Sequence, residues 1–154
     1  NPYVSEIAGW ILTAINLFLR TNDIGHVTGA DGGYWVAGAL YAPDVAFIAY
    51  ARQPELAKKG FNPNPPDLAV EVVSDETNAQ EQNQLRLKIA GYLAAGVIVW
   101  VVRPEARLVE VYRPGQKGET VGEDGVLSGE TVLPGFELPV KDIFPAPKTD
   151  EETE

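Results

Sequence analysis

Apolar residues change their period several times along this chain, and each change marks an element. Ile7, Trp10, Ile11, Ala14, Ile15 and Phe18, with Leu19 beside them, recur at helical spacing and predict an amphipathic helix over roughly Val4 to Arg20. Asn22, Asp23 and Gly25 end it. Glu6 is expected in its first turn as a partner of the helix dipole. From Ile24 to Val36 the pattern turns to short β-prone runs around Gly29-Ala30-Asp31-Gly32-Gly33, which predicts a hairpin. These glycines fit neither dinucleotide nor Walker spacing, so they read as a turn. His26 falls on a strand and is read as structural. Pro43-Asp44-Val45-Ala46-Phe47-Ile48 predicts a short apolar strand with an acid at its entry. Arg52 to Pro66 is a polar, proline-rich loop that carries Lys58 and Lys59, and its length suggests function or mobility.

The strongest pattern follows. Asp67 to Ser74 is a nearly continuous apolar run, as expected of a strand buried on both faces. Asp75 to Asn78 supplies caps for a helix whose apolar stripe is Leu85, Ile89, Tyr92 and Leu93, and Gly96 ends it. Val97 to Val102 is a second apolar strand. A crossover of this length predicts parallel pairing of the two strands. Leu108 to Arg113 alternates as a further strand, and Pro114-Gly115 turns the chain. Gly122-Glu123-Asp124-Gly125 predicts a hairpin, and Thr131 to Phe144 closes the domain with short segments. The expected fold is α/β or α+β: a central mixed sheet with two main helices. Residues 1–145 form the expected single domain, and residues 146–154 an acidic tail.

Two charges do not belong to this apolar pattern. Glu71 sits inside the buried strand, where an unpaired carboxylate costs several kcal/mol. A metal ion, a lysine or a hydrogen-bond network would each compensate it. Lys88 lies roughly 60° around the second helix from Leu85, on the rim of its buried face, and Glu81 roughly 40° from it. Asp44 is the natural second carboxylate if its strand neighbours that of Glu71. Asp67 lies too far along the same strand, about 13 Å from Glu71, and reads as a residue that orients the preceding loop. Asp44, Glu71 and Lys88 together suit metal-assisted attack of water on a phosphodiester. A plain Glu71–Lys88 ion pair, with Asp44 capping a turn, is the alternative.

Composition narrows the chemistry. The 154 residues include no cysteine and one histidine, which excludes thiolate zinc sites and multi-histidine centres within one chain. A metal would be held by oxygen, which favours Mg²⁺ or Mn²⁺. The absence of cysteine is compatible with the cytoplasm, the expected location. No continuous apolar run of membrane-spanning length occurs, and no membrane partner is expected. No methionine occurs, and the chain opens almost directly on a helix, so an N-terminal segment is expected to be missing. The formal charge is −10, the reverse of a basic nucleic-acid surface. A local groove of Lys58, Lys59, Arg86 and Lys88 would have to suffice, and DNA binding in isolation is expected to be weak and salt-sensitive.

A family resemblance covers most of the chain. Pro43-Asp44-Val-Ala-Phe, Pro66-Asp67-Leu-Ala-Val-Glu71-Val-Val-Ser74, Lys88-x3-Tyr92-Leu-Ala-Ala-Gly96-Val, Trp100-Val-Val, Val109-Glu-Val-Tyr112-Arg-Pro and the Leu133-Pro-Gly135-Phe136 ending, in this order, resemble the Uma2 family. Those are restriction-endonuclease-like proteins of the PD-(D/E)xK superfamily. The resemblance implies a restriction-endonuclease-like fold, a divalent metal and DNA phosphodiester hydrolysis. It implies Asp44 and Glu71 as metal ligands with the backbone carbonyl of Val72. Lys88 takes the place of a lysine expected two residues after Glu71, where this chain has Val73. Gln84, one turn before Lys88, stands where many relatives carry an acid, and is expected to hydrogen-bond water or substrate. Arg103-Pro104 stands where many have Asp-Pro. A homodimer is the expected assembly. The competing expectation is an inactive nuclease-fold module used for binding or dimerisation, which the acidic balance favours.

Overall fold

In the computed structural model, which describes residues 1–146, the first helix α1 spans Pro2–Thr21. The acidic residues 147–154, expected as a tail, lie outside the described residues. Asn1 caps α1: its side-chain oxygen accepts the Val4 N–H at 2.8 Å, and Pro2 sits where no amide is needed. Because the helix starts at Pro2, its first turn holds no acid, and Glu6 lies beyond the position expected of it. Ile7, Ile11 and Ile15 are fully buried. Tyr3, Trp10 and Leu17, seven residues apart, form a second, exposed stripe at 45%, 52% and 62% exposure. By length and composition α1 could cross a membrane, but its isoleucine face is part of the core described next.

The strands are β1 (Gly25–Thr28), β2 (Tyr34–Val36), β3 (Ala39–Tyr41), β4 (Val45–Ala49), β5 (Leu68–Val72), β6 (Ile98–Arg103), β7 (Leu108–Tyr112), β8 (Glu119–Val121), β9 (Val126–Ser128) and β10 (Glu137–Pro139). Helix α2 (Ala79–Ala94) lies between β5 and β6. One six-stranded sheet runs β1-β4-β5-β6-β7-β8. Only β5 and β6 are parallel, joined by α2, as the sequence predicted. Strand alternation divides the core. Val45, Phe47, Leu68, Val70 and Val72 join the α1 isoleucines and the C-terminal segment on one face. Ala46, Ile48, Ala69, Val73 and Val101 join Leu85 and Tyr92 of α2, with the β2–β3 hairpin, on the other.

Two turns sit where the sequence placed them but do not make the hairpins expected. The Gly32 amide bonds the Gly29 carbonyl at 3.0 Å, yet β1 pairs with β4 and not β2. The Gly125 amide bonds the Gly122 carbonyl at 2.9 Å, yet β8 pairs with β7 and β9 with β10. In both places the turn sends the chain from one sheet to another. The hairpin near the first turn is β2–β3, through Ala37 and Gly38, with φ of 48° and 83°. Positive φ at both central residues is the twist-compatible hairpin geometry, but Ala-Gly lacks the Asn or Asp that announces it. The loop 52–66 is stitched down. Asn62 is 5% exposed, its carbonyl accepts the Trp35 amide at 2.9 Å, and its side-chain oxygen accepts from Gln53 and from the Ala57 amide.

The β1–β4 contact leaves no room at Gly25, where a Cβ would stand 2.4 Å from the Ile48 carbonyl oxygen and 2.7 Å from the Phe47 ring. Gly25→Ala is expected to lower stability by about 1–3 kcal/mol in urea unfolding, the usual cost of overpacking.

Candidate active site

The alternation of β5 that sends Val70 and Val72 towards α1 sends Ala69, Glu71 and Val73 towards α2. On α2, Lys88 and Tyr92 are one turn apart on the facing side. The Tyr92 hydroxyl donates to Glu71 Oε2 at 2.7 Å, and Lys88 Nζ lies 3.6 Å from Glu71 Oε1. Glu71 is 7% exposed and Tyr92 fully buried, whereas the Lys88 side chain is 39% exposed. A lysine and a hydrogen bond therefore both compensate the buried carboxylate. Burial pushes the Glu71 carboxyl above its ordinary value, against the pull of Lys88 and Tyr92, and nearby Asp44 raises it further. Burial also pushes the Tyr92 hydroxyl far up, with the Glu71 charge adding to it, so it stays a donor.

Asp44 comes from β4, the antiparallel neighbour of β5. The register pairs Val45 with Val70. Continued by one residue, it sets Asp44 opposite Glu71 on the same side of the sheet. Asp44 Oδ2 accepts the Val72 amide at 2.7 Å, and its other oxygen has no hydrogen bond among the described residues. Burial raises its carboxyl, while the Val72 amide and Lys88 pull it back. Asp67 is its counterpart at the other end of the strand pair. Asp67 Oδ2 accepts the Ala49 amide at 2.7 Å, and Oδ1 lies 3.4 Å from Arg52. Each aspartate follows a buried proline, precedes its own strand and holds the last amide of the other. Asp67 thus stays out of the pocket and anchors the loop, as its spacing from Glu71 required.

Asp44, Glu71, Val72, Val73, Glu81, Gln84, Leu85 and Lys88 line one pocket of about 210 Å³. Every residue singled out for the chemistry is therefore in one place. Lys58, Lys59 and Arg86 are not: the lysines sit on the loop rooted at the opposite ends of β4 and β5, and Arg86 bonds Asn83 at 3.0 Å. His26 bonds the Pro54 carbonyl at 2.8 Å, consistent with a structural role. Arg103 pairs with Glu76 at 2.7 Å and Glu110 at 2.6 Å, tying the loop before α2 to β7.

Two contributors were missed in the sequence. Tyr92 read as part of an apolar stripe and as a position in the family motif after Lys88, but with no task at the site. Glu81 was seen at the rim but given no task. Its Oε1 accepts from the Ser74 amide and hydroxyl, both at 2.9 Å, while its own amide bonds the Asn78 cap at 3.0 Å. It joins the end of β5 to the start of α2.

No group of three His, Cys, Asp or Glu side chains is gathered for a metal among the described residues. Glu81 turns Oε1 to Ser74 and is not gathered with Asp44 and Glu71 into a three-carboxylate group among the described residues, so the donors grouped together are the Asp44 and Glu71 carboxylates and the backbone at Val72. That set is all oxygen and anionic, and it fits in kind a small hard cation that keeps several waters.

The fold defines the class: a mixed-sheet, α+β protein of the nuclease-like type, here with a carboxylate pair on the sheet and a lysine facing it from α2. The chain belongs to the Uma2 family, whose model, described as "Putative restriction endonuclease", matches residues 2–141. A crystal structure of "a putative nuclease belonging to DUF820" from Anabaena variabilis shares the fold, with a TM-score of 0.76 and 22% identity. The match covers 91% of this chain and 79% of that one. No curated protein matches.

Because folding raises both carboxyls, the folded chain holds protons that the unfolded chain releases first. Their contribution to stability is full below the ordinary carboxylate range and is lost as pH rises through the raised values. Glu71→Gln is therefore expected to raise Tm at pH 8 by about 2–4 °C, the shift of about 1 kcal/mol in a domain this size, and by less at pH 5. Thermal melts of both proteins at the two pH values check this.

Proposed function

We propose that this protein is a Mg²⁺- or Mn²⁺-dependent endonuclease that hydrolyses DNA phosphodiester bonds, acting in the cytoplasm as a homodimer. The observation that carries the reading is the opposition of Asp44 and Glu71 on one side of the sheet with Lys88 in the same pocket. Asp44, Glu71 and the Val72 carbonyl would hold the cation. When bound, such an ion supplies Lewis-acid polarisation of a phosphoryl oxygen and lowers the pKa of water. Lys88 is exposed enough to meet substrate. In this reading it positions the attacking water and offsets charge gathering on the phosphoryl oxygens. Gln84 hydrogen-bonds the water or a phosphate oxygen. Pairing with a second copy is supported by the exposed Tyr3, Trp10 and Leu17 stripe of α1. The net charge of −10 and the absence of Lys58, Lys59 and Arg86 from the pocket make binding to DNA weak.

A second reading, an inactive binding or dimerisation module, draws on the same charge and on Lys88 already compensating Glu71. Titration calorimetry with Mg²⁺ and Mn²⁺ separates the two, since the module binds neither ion at Asp44 and Glu71.

Glu71→Ala is expected to lower metal-dependent nicking of supercoiled plasmid by about 10²–10³-fold. Asp44→Asn keeps an acceptor for the Val72 amide, so it should lose nicking without losing the fold. Cleavage by Glu71→Ala at the parent's rate would end the assignment.

Val73 lines the pocket beside Lys88. Lys88→Ala should abolish nicking, and adding Val73→Lys should restore part of it. A double variant as inactive as Lys88→Ala would show that a lysine on the strand does not substitute for one on the helix.

A further inference from the structure

Each carboxylate of the pair has one oxygen already taken. Val72 donates its amide to Asp44 Oδ2 at 2.7 Å, and Tyr92 donates its hydroxyl to Glu71 Oε2 at 2.7 Å. The remaining oxygens are Asp44 Oδ1, which has no bond among the described residues, and Glu71 Oε1, which faces Lys88 at 3.6 Å. The two donors differ in kind. The Val72 amide is fixed by the sheet. The Tyr92 hydroxyl is a side chain held by burial, with its ring 0% exposed and edge-on to Tyr41 at 5.0 Å.

We infer that Tyr92 is a positioning residue that keeps Glu71 a one-oxygen ligand and thereby sets which divalent cation the pocket prefers. This rests on the reading of Asp44 and Glu71 as metal ligands. Mg²⁺ and Mn²⁺ sites of octahedral type use carboxylates through single oxygens and retain water. Ca²⁺ is larger and readily takes both oxygens of one carboxylate. Tying down Oε2 disfavours the two-oxygen mode for Glu71, and it fixes the direction of Oε1. The ring cannot swing away, because it fills the core between α2 and the β2–β3 hairpin. Partners that orient a ligand in this way commonly contribute 10–100-fold to metal affinity.

Tyr92→Phe removes the hydroxyl and keeps the ring. Tyr34→Phe is the control: Tyr34 is also 0% exposed and on the same side of the sheet, but its hydroxyl is 2.7 Å from Thr28 and does not touch Glu71. Mn²⁺ and Ca²⁺ affinities of the parent and both variants are measured by titration calorimetry at one pH, with thermal melts alongside. The parent should bind Mn²⁺ more tightly than Ca²⁺. Tyr92→Phe should weaken Mn²⁺ by about 10–100-fold and narrow the Mn²⁺-to-Ca²⁺ ratio, while Tyr34→Phe leaves that ratio at the parent's value. A Tyr92→Phe ratio equal to the parent's, or the same change in both variants, would overturn the inference and leave the metal-site reading standing. A parent that binds neither ion would overturn both.

Discussion

A carboxylate buried in the middle of a sheet has to be held, and the rest of this site follows from how Glu71 is held. Water is largely excluded at its strand, so the cost of its charge falls on side chains from α2. Two residues one helical turn apart supply the answer: Tyr92 on one oxygen and Lys88 on the other. They differ in exposure, and that difference is chemically useful. Tyr92 is sealed in the core and holds position. Lys88 reaches solvent from the mouth of the pocket. Burial holds the Glu71 and Asp44 carboxyls above their ordinary values in spite of these partners.

The β4–β5 strand pair puts a second constraint on the site. The sequence repeats itself as Pro43-Asp44-Val45-Ala46-Phe47 and Pro66-Asp67-Leu68-Ala69-Val70. The two copies run antiparallel, and each aspartate takes the terminal amide of the opposite strand. Asp44 thus begins as a structural device, and only its second oxygen distinguishes it. At Asp67 that oxygen meets Arg52; at Asp44, beside Glu71 and Lys88, it has no hydrogen bond among the described residues. Because a carboxylate has two oxygens, the structural bond to the Val72 amide leaves the other open to the pocket.

The sequence made the centre of this structure legible and its edges much less so. The β5-α2-β6 unit was readable because Asp67 to Ser74 and Val97 to Val102 are apolar enough to require burial on both faces, and Gly96 marks the end of the helix, with φ of +81°. The gathering of Asp44, Glu71 and Lys88 in one pocket was also readable, since a charge among valines calls for partners, whereas Gln84 came only from the family resemblance. What failed was local inference about pairing. Asp31-Gly32 and Asp124-Gly125 do turn the chain, but a turn does not specify which strand the next segment meets. Lys58 and Lys59 were assigned to a groove by charge alone, whereas the loop that carries them is rooted a strand's length from the pocket. Tyr92 was hidden because a tyrosine on an apolar stripe is normally core, and nothing in its spacing reveals where the hydroxyl points.

The central claim is that the Asp44–Glu71 pair is a metal centre with a displaceable lysine. It is tested most directly by the anomalous difference map of a crystal soaked in Mn²⁺. The account predicts one Mn²⁺ peak between the free oxygens of Asp44 and Glu71, against the Val72 carbonyl, with Lys88 drawn off Glu71. An empty site at saturating Mn²⁺, with Lys88 still on Glu71, would contradict it.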